Sequence, residues 1–271
     1  MSVVVDVDPA KGYNYKLFQV AKKTKGEFRT VGAPSKNLLK AQRKMLPKLE
    51  KAYHAEEARI GLLDICQGFL HGRGPVSCAT KHIGYEATLT MDIEDFFNNV
   101  NMSRMMEIDT VEEYAIVADN QNNLVQGFAT SPIIANIRSL GFMEDIYKNM
   151  VEKFSGCVDD FQLNIYADDI ILSYNHKDKD RVAYNVKQLP TIIAKHLSNH
   201  GFKVNPKKTR VRYASQGYRR ILGINVGDDH IRATRKIMRK IRAAKHQANK
   251  SSLGGLTNWS NWNMPKKEER K

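Results

Sequence analysis

Asp168 and Asp169 stand side by side after Tyr166 and Ala167, in a stretch whose flanks are rich in apolar β-formers. Phe161, Leu163 and Ile165 alternate before them, and Ile170, Ile171, Leu172 and Tyr174 follow. This pattern predicts a strand, a tight turn and a second strand, with both carboxylates at the tip. Neighbouring carboxylates repel, so each ionises less readily unless a cation neutralises the pair. A hard divalent ion with oxygen ligands is the natural partner, and Mg2+ held between carboxylates and substrate phosphates is the usual arrangement. For the dipeptide alone, a solvated Asp-Asp turn is the plain alternative. Phosphoryl transfer on two metals needs a further carboxylate. Asp92 meets that need at the end of the apolar run Leu89-Thr90-Met91-Asp92-Ile93, just before Phe96 and Phe97. Asp92 could equally cap a helix begun at Glu94-Asp95, with the phenylalanines in the core; the two roles are compatible.

Several elements must position these acids. Residues 87–93 read as a strand running into Glu94. Residues 15–34 hold short β-like runs on either side of a basic turn, Lys22-Lys23-Thr24-Lys25-Gly26. Residues 36–58 read as a basic helix with Leu39, Leu46 and Leu49 among Lys and Arg. Gly127 to Pro132 is a turn-rich loop, and a helix is predicted over 133–150. Residues 180–200 place Val182, Val186, Leu189, Ile192, Ile193 and Leu197 on one apolar face, and Gly201 ends that helix as a C′ glycine. Val211 to Val226 reads as a second β region around Gly223. Residues 231–250 contain no acid; Ile237, Ile241 and Ala244 form an apolar stripe and basic residues cover much of the rest. Such a surface repels itself unless phosphates lie nearby, although a solvated face is the simpler reading.

At 271 residues the chain can bury a sizeable core. Its 42% hydrophobic and 27% charged residues are those of a soluble globular protein. A net charge of +14 and a pI near 9.6 point to a polyanionic partner, nucleic acid before an anionic membrane surface. Three cysteines, Cys66, Cys78 and Cys157, show no metal-ligand spacing and no disulfide framework, which predicts a reducing compartment. The first residues are acidic where a secretory signal is basic, and no apolar run is long enough to span a bilayer. A cytoplasmic protein with no membrane partner is expected.

Three segments occur in order: Asp92-Ile93-Glu94-Asp95-Phe96-Phe97, Gln126-Gly127-Phe128-Ala129-Thr130-Ser131-Pro132 and Tyr166-Ala167-Asp168-Asp169. Together they resemble the core motifs of reverse transcriptases, in particular the bacterial group II intron and retron branch. Lys23 and Arg29, around Gly26 and before Pro34, look like the fingers motif that holds an incoming triphosphate. Residues 201–209, Gly-Phe-Lys-Val-Asn-Pro-Lys-Lys-Thr, look like the motif after the palm helix, and Ile221-Leu222-Gly223 like the primer-grip hairpin. Phe69-Leu70-His71-Gly72-Arg73-Gly74, leading into Cys78-Ala79-Thr80-Lys81-His82, is similar to a retron element, with Cys78 where that element has Asn. Arg242-Ala243-Ala244-Lys245-His246 is similar to the retron thumb. Two departures are Ile221-Leu222-Gly223 in place of the retron Val-Thr-Gly, and Ala129 where Pro is usual.

The resemblance implies an α+β right-hand polymerase, with fingers and an antiparallel palm in residues 1–226 and a short basic helical thumb in 227–271. It implies that Asp92, Asp168 and Asp169 are catalytic and hold two Mg2+ ions, with Mn2+ as the alternative metal. Lys23, Arg29, Phe97, Gln126, Gly127 and Lys208 would bind the nucleotide, Phe97 as the ring that excludes a 2′-hydroxyl. Each has a plain reading beside it: a solvated basic turn, a core phenylalanine, a surface lysine. Thr130, Ser131 and Pro132 would shape their loop, with Asn136 bonding within it. Arg235, Arg239, Arg242 and His246 would meet nucleic acid. His82 would be structural or contact RNA, and Trp259 and Trp262 would stack on nucleic acid or pack the thumb. The implied activity is RNA-directed DNA polymerisation on a structured noncoding RNA that serves as template and primer source. dNTPs would be consumed, an RNA-linked single-stranded DNA would be the product, and an effector protein would join it in anti-phage defence. The chain's end soon after the thumb would leave no room for maturase or endonuclease extensions. Other readings are a defence reverse transcriptase with different priming or untemplated synthesis, and a non-catalytic RNA-binding scaffold.

Overall fold

The computed structural model describes residues 3–22, 26–100, 102, 113, 116–119, 123–154, 158–176, 187–248, 252 and 254. Lys23, Cys157, Val182, Val186, Trp259 and Trp262 lie outside these residues.

The centre is an antiparallel sheet of four strands in the order β5-β6-β4-β7: β4 (Ala87–Asp92), β5 (Val158–Tyr166), β6 (Asp169–His176) and β7 (Arg210–Tyr213). Neighbouring residues of β6 go to opposite faces, as the pleat requires. Ile170 and Leu172 join the main core, whereas Ile171 joins a smaller cluster with Cys78, Ala79 and Ile83. Both faces are covered, so the strand reads as a continuous apolar run. On the smaller cluster's side, His82 is fully buried; its Nδ1 lies 2.8 Å from Ser173 Oγ, which is 2.7 Å from Thr88 Oγ1. Burial holds the His82 imidazole far down, at about 3, so it is neutral and structural. Of the two readings of His82, the structural one holds and an RNA contact does not, because the ring is fully buried.

Two smaller antiparallel sheets flank the centre. One is β1 (Val3–Asp8), β2 (Tyr13–Ala21) and β3 (Phe28–Pro34); the other is β8 (Arg219–Ile221), β9 (Ile224–Val226) and β10 (Ile231–Ala233). Leu222 and Gly223, both at positive φ, make the two-residue turn between β8 and β9. Residues 231–233 thus form a strand paired with β9, and among the described residues of the basic segment the helix is Arg235–His246 (numbered α6 below).

Helix α1 (Lys36–Ile60) starts at Ser35, whose Oγ accepts from Leu38 N at 3.3 Å. Its buried stripe is Leu38, Gln42, Met45, Leu49, Tyr53 and Glu57. Leu39 and Leu46 flank that stripe, and Leu49 lies in it; steps of three and four residues from Leu38 keep one face toward the core. The stripe packs on α4 (Ser131–Phe154) and on β2 and β3. Between them lie α2 (Pro75–Lys81) and α3 (Phe96–Asn99), and α5 (Leu189–Asn199) packs on α4 with Leu189, Ile193 and Leu197 buried.

The loop before α4 is pinned to β3 through two glycines. Gly32 N donates to Gln126 O at 2.7 Å. A Cβ on Gly127, at φ +105°, would lie 2.3 Å from Gly32 O. One close approach that Gly127 permits is thus to the backbone of β3. Gly127→Ala is expected to cost about 2–4 kcal/mol in denaturant melts, from left-handed strain plus overpacking. Gly61→Ala, at φ +70° with open space around it, should cost only about 1 kcal/mol.

Candidate active site

Strand register brings the three aspartates together. Asp92, the last residue of β4, is the cross-strand partner of Asp169, the first of β6. Tyr166 closes β5 opposite Asp169, so the β5–β6 turn consists of Ala167 and Asp168 alone. Ala167 sits at φ +53°, a left-handed conformation that costs a non-glycine residue about 1 kcal/mol or more. Ile93 N donates to Asp168 O at 2.8 Å, locking the turn to the strand that carries Asp92.

The electrostatics are unfavourable for three anions. Burial, then the charges of Asp168 and Asp92, push the Asp169 carboxyl up to about 7. Asp168 is also raised, first by burial; the nearby charge of Asp92 adds to this, and Lys208 and Arg29 oppose it. Lys208 answers part of the demand. It ends a short 3-10 helix, Pro206–Lys208, which Asn205 caps by accepting from Lys207 N at 3.1 Å. Its Nζ donates to both Asp92 oxygens, at 2.8 and 2.7 Å. Burial works against the Lys208 charge, but the bond to Asp92 and the three carboxylates outweigh it and hold its pKa above the ordinary value. Among the described residues no three His, Cys, Asp or Glu side chains form a ready ligand set. Lys208 engages both Asp92 oxygens in this arrangement.

The other nominated residues divide. Arg29, exposed on β3, is close enough for its charge to act on Asp168. Lys22, beside the undescribed Lys23, reaches Asp95 at 3.6 Å. Phe97 is half-buried, its ring 5.6 Å from Phe96. Gln126 and Gly127 meet β3. Ser131 does shape its loop, donating to Val125 O at 2.7 Å. Asn136 does not bond within that loop; its Nδ2 donates to Gly68 O at 2.8 Å, because Gly68 passes under the β5–β6 turn. Arg235, Arg239, Arg242 and His246 are all exposed. Their spacing of four, three and four puts them on one face of α6, opposite Ile237, Ile241 and Ala244.

Residues 64–74, of which 69–74 carry a motif in the sequence, brace the carboxylates, a role the motif did not announce. Gln67 N donates to Ile165 O at 2.8 Å and Ile165 N to Ile65 O at 3.0 Å. A Cβ on Gly68 would lie 3.0 Å from Ala167 N. Arg73 ties the segment to α1: its Nη1 donates to Glu57 Oε1 at 2.8 Å, to Cys66 O at 2.8 Å and to Tyr53 Oη at 3.0 Å. Its Nε lies 2.8 Å from Asp64. Burial alone would raise the Glu57 carboxyl, but the bonds from Arg73 and Tyr53 hold it low. A signal existed: Glu57 continues the buried stripe of α1, and a carboxylate there needs a cation.

An antiparallel sheet that sets carboxylates from two strands beside Lys208 and Arg29 defines a candidate phosphoryl-transfer centre. Comparison with known families agrees. The family described as Reverse transcriptase (RNA-dependent DNA polymerase) matches residues 20–226, and the chain belongs to it. The chain is similar to Retron Ec48 reverse transcriptase of Escherichia coli, 27% identical over 183 residues, covering 64% of this chain and 42% of that protein. It is similar also to two proteins of Myxococcus xanthus. Retron Mx65 reverse transcriptase is 24% identical, covering 95% of this chain and 63% of that protein. Retron Mx162 reverse transcriptase is 26% identical, covering 86% and 52%. The chain thus spans 42% to 63% of the length of these curated relatives. No helix among the described residues is long and apolar enough to cross a membrane.

The raised carboxyl of Asp169 has a stability consequence. Its folded value of about 7 exceeds the ordinary 3.8, so the folded chain holds a proton that the unfolded chain releases. The resulting destabilisation is absent below pH 3.8, grows between the two values and is complete above about pH 7. In EDTA, Asp169→Asn should therefore raise the melting temperature at pH 8 by several degrees, and the gain should vanish near pH 4. Calorimetry across that range checks it.

Proposed function

We propose that this chain is an RNA-directed DNA polymerase that extends a primer 3′-hydroxyl with dNTPs. The observation that carries the reading is the strand pairing of Asp92 with Asp169 beside Asp168, in a member of the reverse transcriptase family. In this reading the four-stranded sheet is the palm, β1–β3 and α1 belong to the fingers, and residues 227–271 are the thumb, whose basic helix is α6.

The donor set suits hard divalent ions. Asp92, Asp168 and Asp169 offer only carboxylate oxygens, and burial and mutual repulsion make their charge costly without a cation. They would hold two Mg2+, or Mn2+ in its place. Bound there, the metals would lower the pKa of the attacking hydroxyl and neutralise charge on the transferring phosphates. The remaining work falls to the chain itself. Lys208 holds Asp92 in place until a stronger cation competes for its two oxygens, and is then free to meet phosphate or donate a proton to the leaving pyrophosphate. Arg29, with Lys23, binds the triphosphate; its planar fork donates two bonds at once. Phe97 closes the space a 2′-hydroxyl would need. Gln126 and Gly127 sit where β3 and the loop before α4 meet, and align template against nucleotide. Arg235, Arg239, Arg242 and His246 follow a phosphate backbone, which makes binding salt-dependent.

The relatives named as retron reverse transcriptases support a structured noncoding RNA as template and primer source. The product would be a single-stranded DNA joined to that RNA, and an effector protein would act with it in anti-phage defence. Protein purified from its own locus and supplied with labelled dNTPs and Mg2+ is expected to yield a discrete RNA-linked DNA. Asp168→Ala/Asp169→Ala should abolish it, by at least about a thousandfold, while RNA still co-purifies. Bound RNA without DNA synthesis, on either its own RNA or an added primer–template, would instead mark a scaffold.

A further inference from the structure

We propose that Phe69 is a nucleotide-stacking residue: with Phe97 and Tyr166 it forms an aromatic shelf beside the aspartates that receives the base of a nucleotide held there. The inference rests on the polymerase reading for its setting and gives Phe69, so far only the first residue of a motif, a role at the site.

Phe69 is in an expensive place. Its backbone lies at φ +63° and its side chain is 48% exposed. A bulky residue in the left-handed region is strained, and glycine would relieve that strain. An exposed ring there gains little from burial in return. A strained, exposed aromatic is an outlier from which a function can be inferred.

The surroundings say what it faces. The Phe69 ring is 6.2 Å from Phe97 and 6.3 Å from Tyr166, at 67° and 32°. Tyr166 is the residue before the two-residue turn that carries Asp168, and is itself the strand partner of Asp169. Phe97 is the aromatic five residues beyond Asp92. One edge of this three-ring surface therefore borders the carboxylates, and its Phe69 end is open to solvent. The segment beneath is held on two sides. Asn136 donates to Gly68 O from α4, and Gly68 packs on the Ala167 amide. Arg73, bonded to the buried Glu57, fixes the other end to α1. A ring carried on so braced a loop is presented in one orientation, which lowers the entropy lost on stacking.

An exposed aromatic face backed by two further rings, beside carboxylates that Lys208 and Arg29 attend, fits a nucleobase, whose π face stacks on aromatic side chains whatever its sequence. The base could belong to the primer terminus or to the incoming nucleotide, and 2-aminopurine separates the two because stacking quenches its fluorescence. The full chain is titrated in Ca2+ with a primer–template bearing 2-aminopurine at the primer 3′ end, and separately with 2-aminopurine deoxyribonucleoside triphosphate on an unlabelled primer–template. One probe should be quenched by the wild type and lose that quenching, with affinity about tenfold weaker, in both Phe69→Gly and Phe69→Leu. Phe69→Tyr should restore it. Phe69→Gly should melt no lower than the wild type, because it relieves left-handed strain, so folding failure cannot imitate the result. Equal quenching and affinity of Phe69→Gly and wild type for both probes overturns the proposal, as does a wild type that quenches neither. A wild type that quenches a probe yet never extends a primer with dNTPs and Mg2+ would overturn the polymerase reading and leave the stacking site standing.

Discussion

Three carboxylates compelled into one corner of a sheet are the constraint on which this molecule turns. The antiparallel register of β4 and β6 leaves no choice: once Leu89 pairs with Leu172 in the core, Asp92 must face Asp169. A slip of one residue would break that pairing and turn the apolar residues of β4 and β6 to the wrong faces. The core thus enforces the electrostatic repulsion. Hydrophobic burial along two strands is large enough to hold anions together that would separate if free. Burial first, and then the charges of Asp168 and Asp92, raise the Asp169 carboxyl to about 7.

Much of the neighbouring structure either relieves the repulsion or resists it. Lys208 relieves it with one ammonium set on both oxygens of Asp92. Arg29 leans in from β3 with a second positive charge. Resistance comes from the segment 64–74, which bonds to the edge of β5, passes Gly68 under the strained Ala167 and is tied to α1 through Arg73 and Glu57. Tyr53, Glu57, Asp64 and Arg73 make a connected polar network that is at most half exposed. Such networks are costly unless satisfied, and here each member has partners. Rigidity at the carboxylates is therefore assembled from residues distant in sequence.

Local order was legible in the sequence; contact across it was not. The β5–β6 hairpin, the strand ending at Asp92, the turn at Gly223 and the one-sided charge of α6 follow from alternation, glycine placement and charge spacing, all local signals. The buried face of α1 was not legible, because the stripe carries Gln42 and Glu57, polar residues whose partners include Ile116 and Arg73, distant in sequence. Asn136 found Gly68 across 68 residues, and no periodicity reports such a pairing. Gly127 meets Gly32 of β3, a backbone contact between segments far apart in sequence that no local signal announces. His82 carries no sign in its neighbours that it will be sealed beneath Ser173. Paired carboxylates, by contrast, announce themselves, because their cost has few remedies besides a cation.

The most direct test of that cost is the binding of Mn2+, followed by its paramagnetic effect on water-proton relaxation, in the wild type, Asp92→Asn and Asp169→Asn. The account predicts saturable binding that weakens at least about tenfold in each variant, since each removes a charged oxygen donor from a shared site. Equal affinity in all three proteins would contradict it, and would mean that the three aspartates meet for some reason other than a metal.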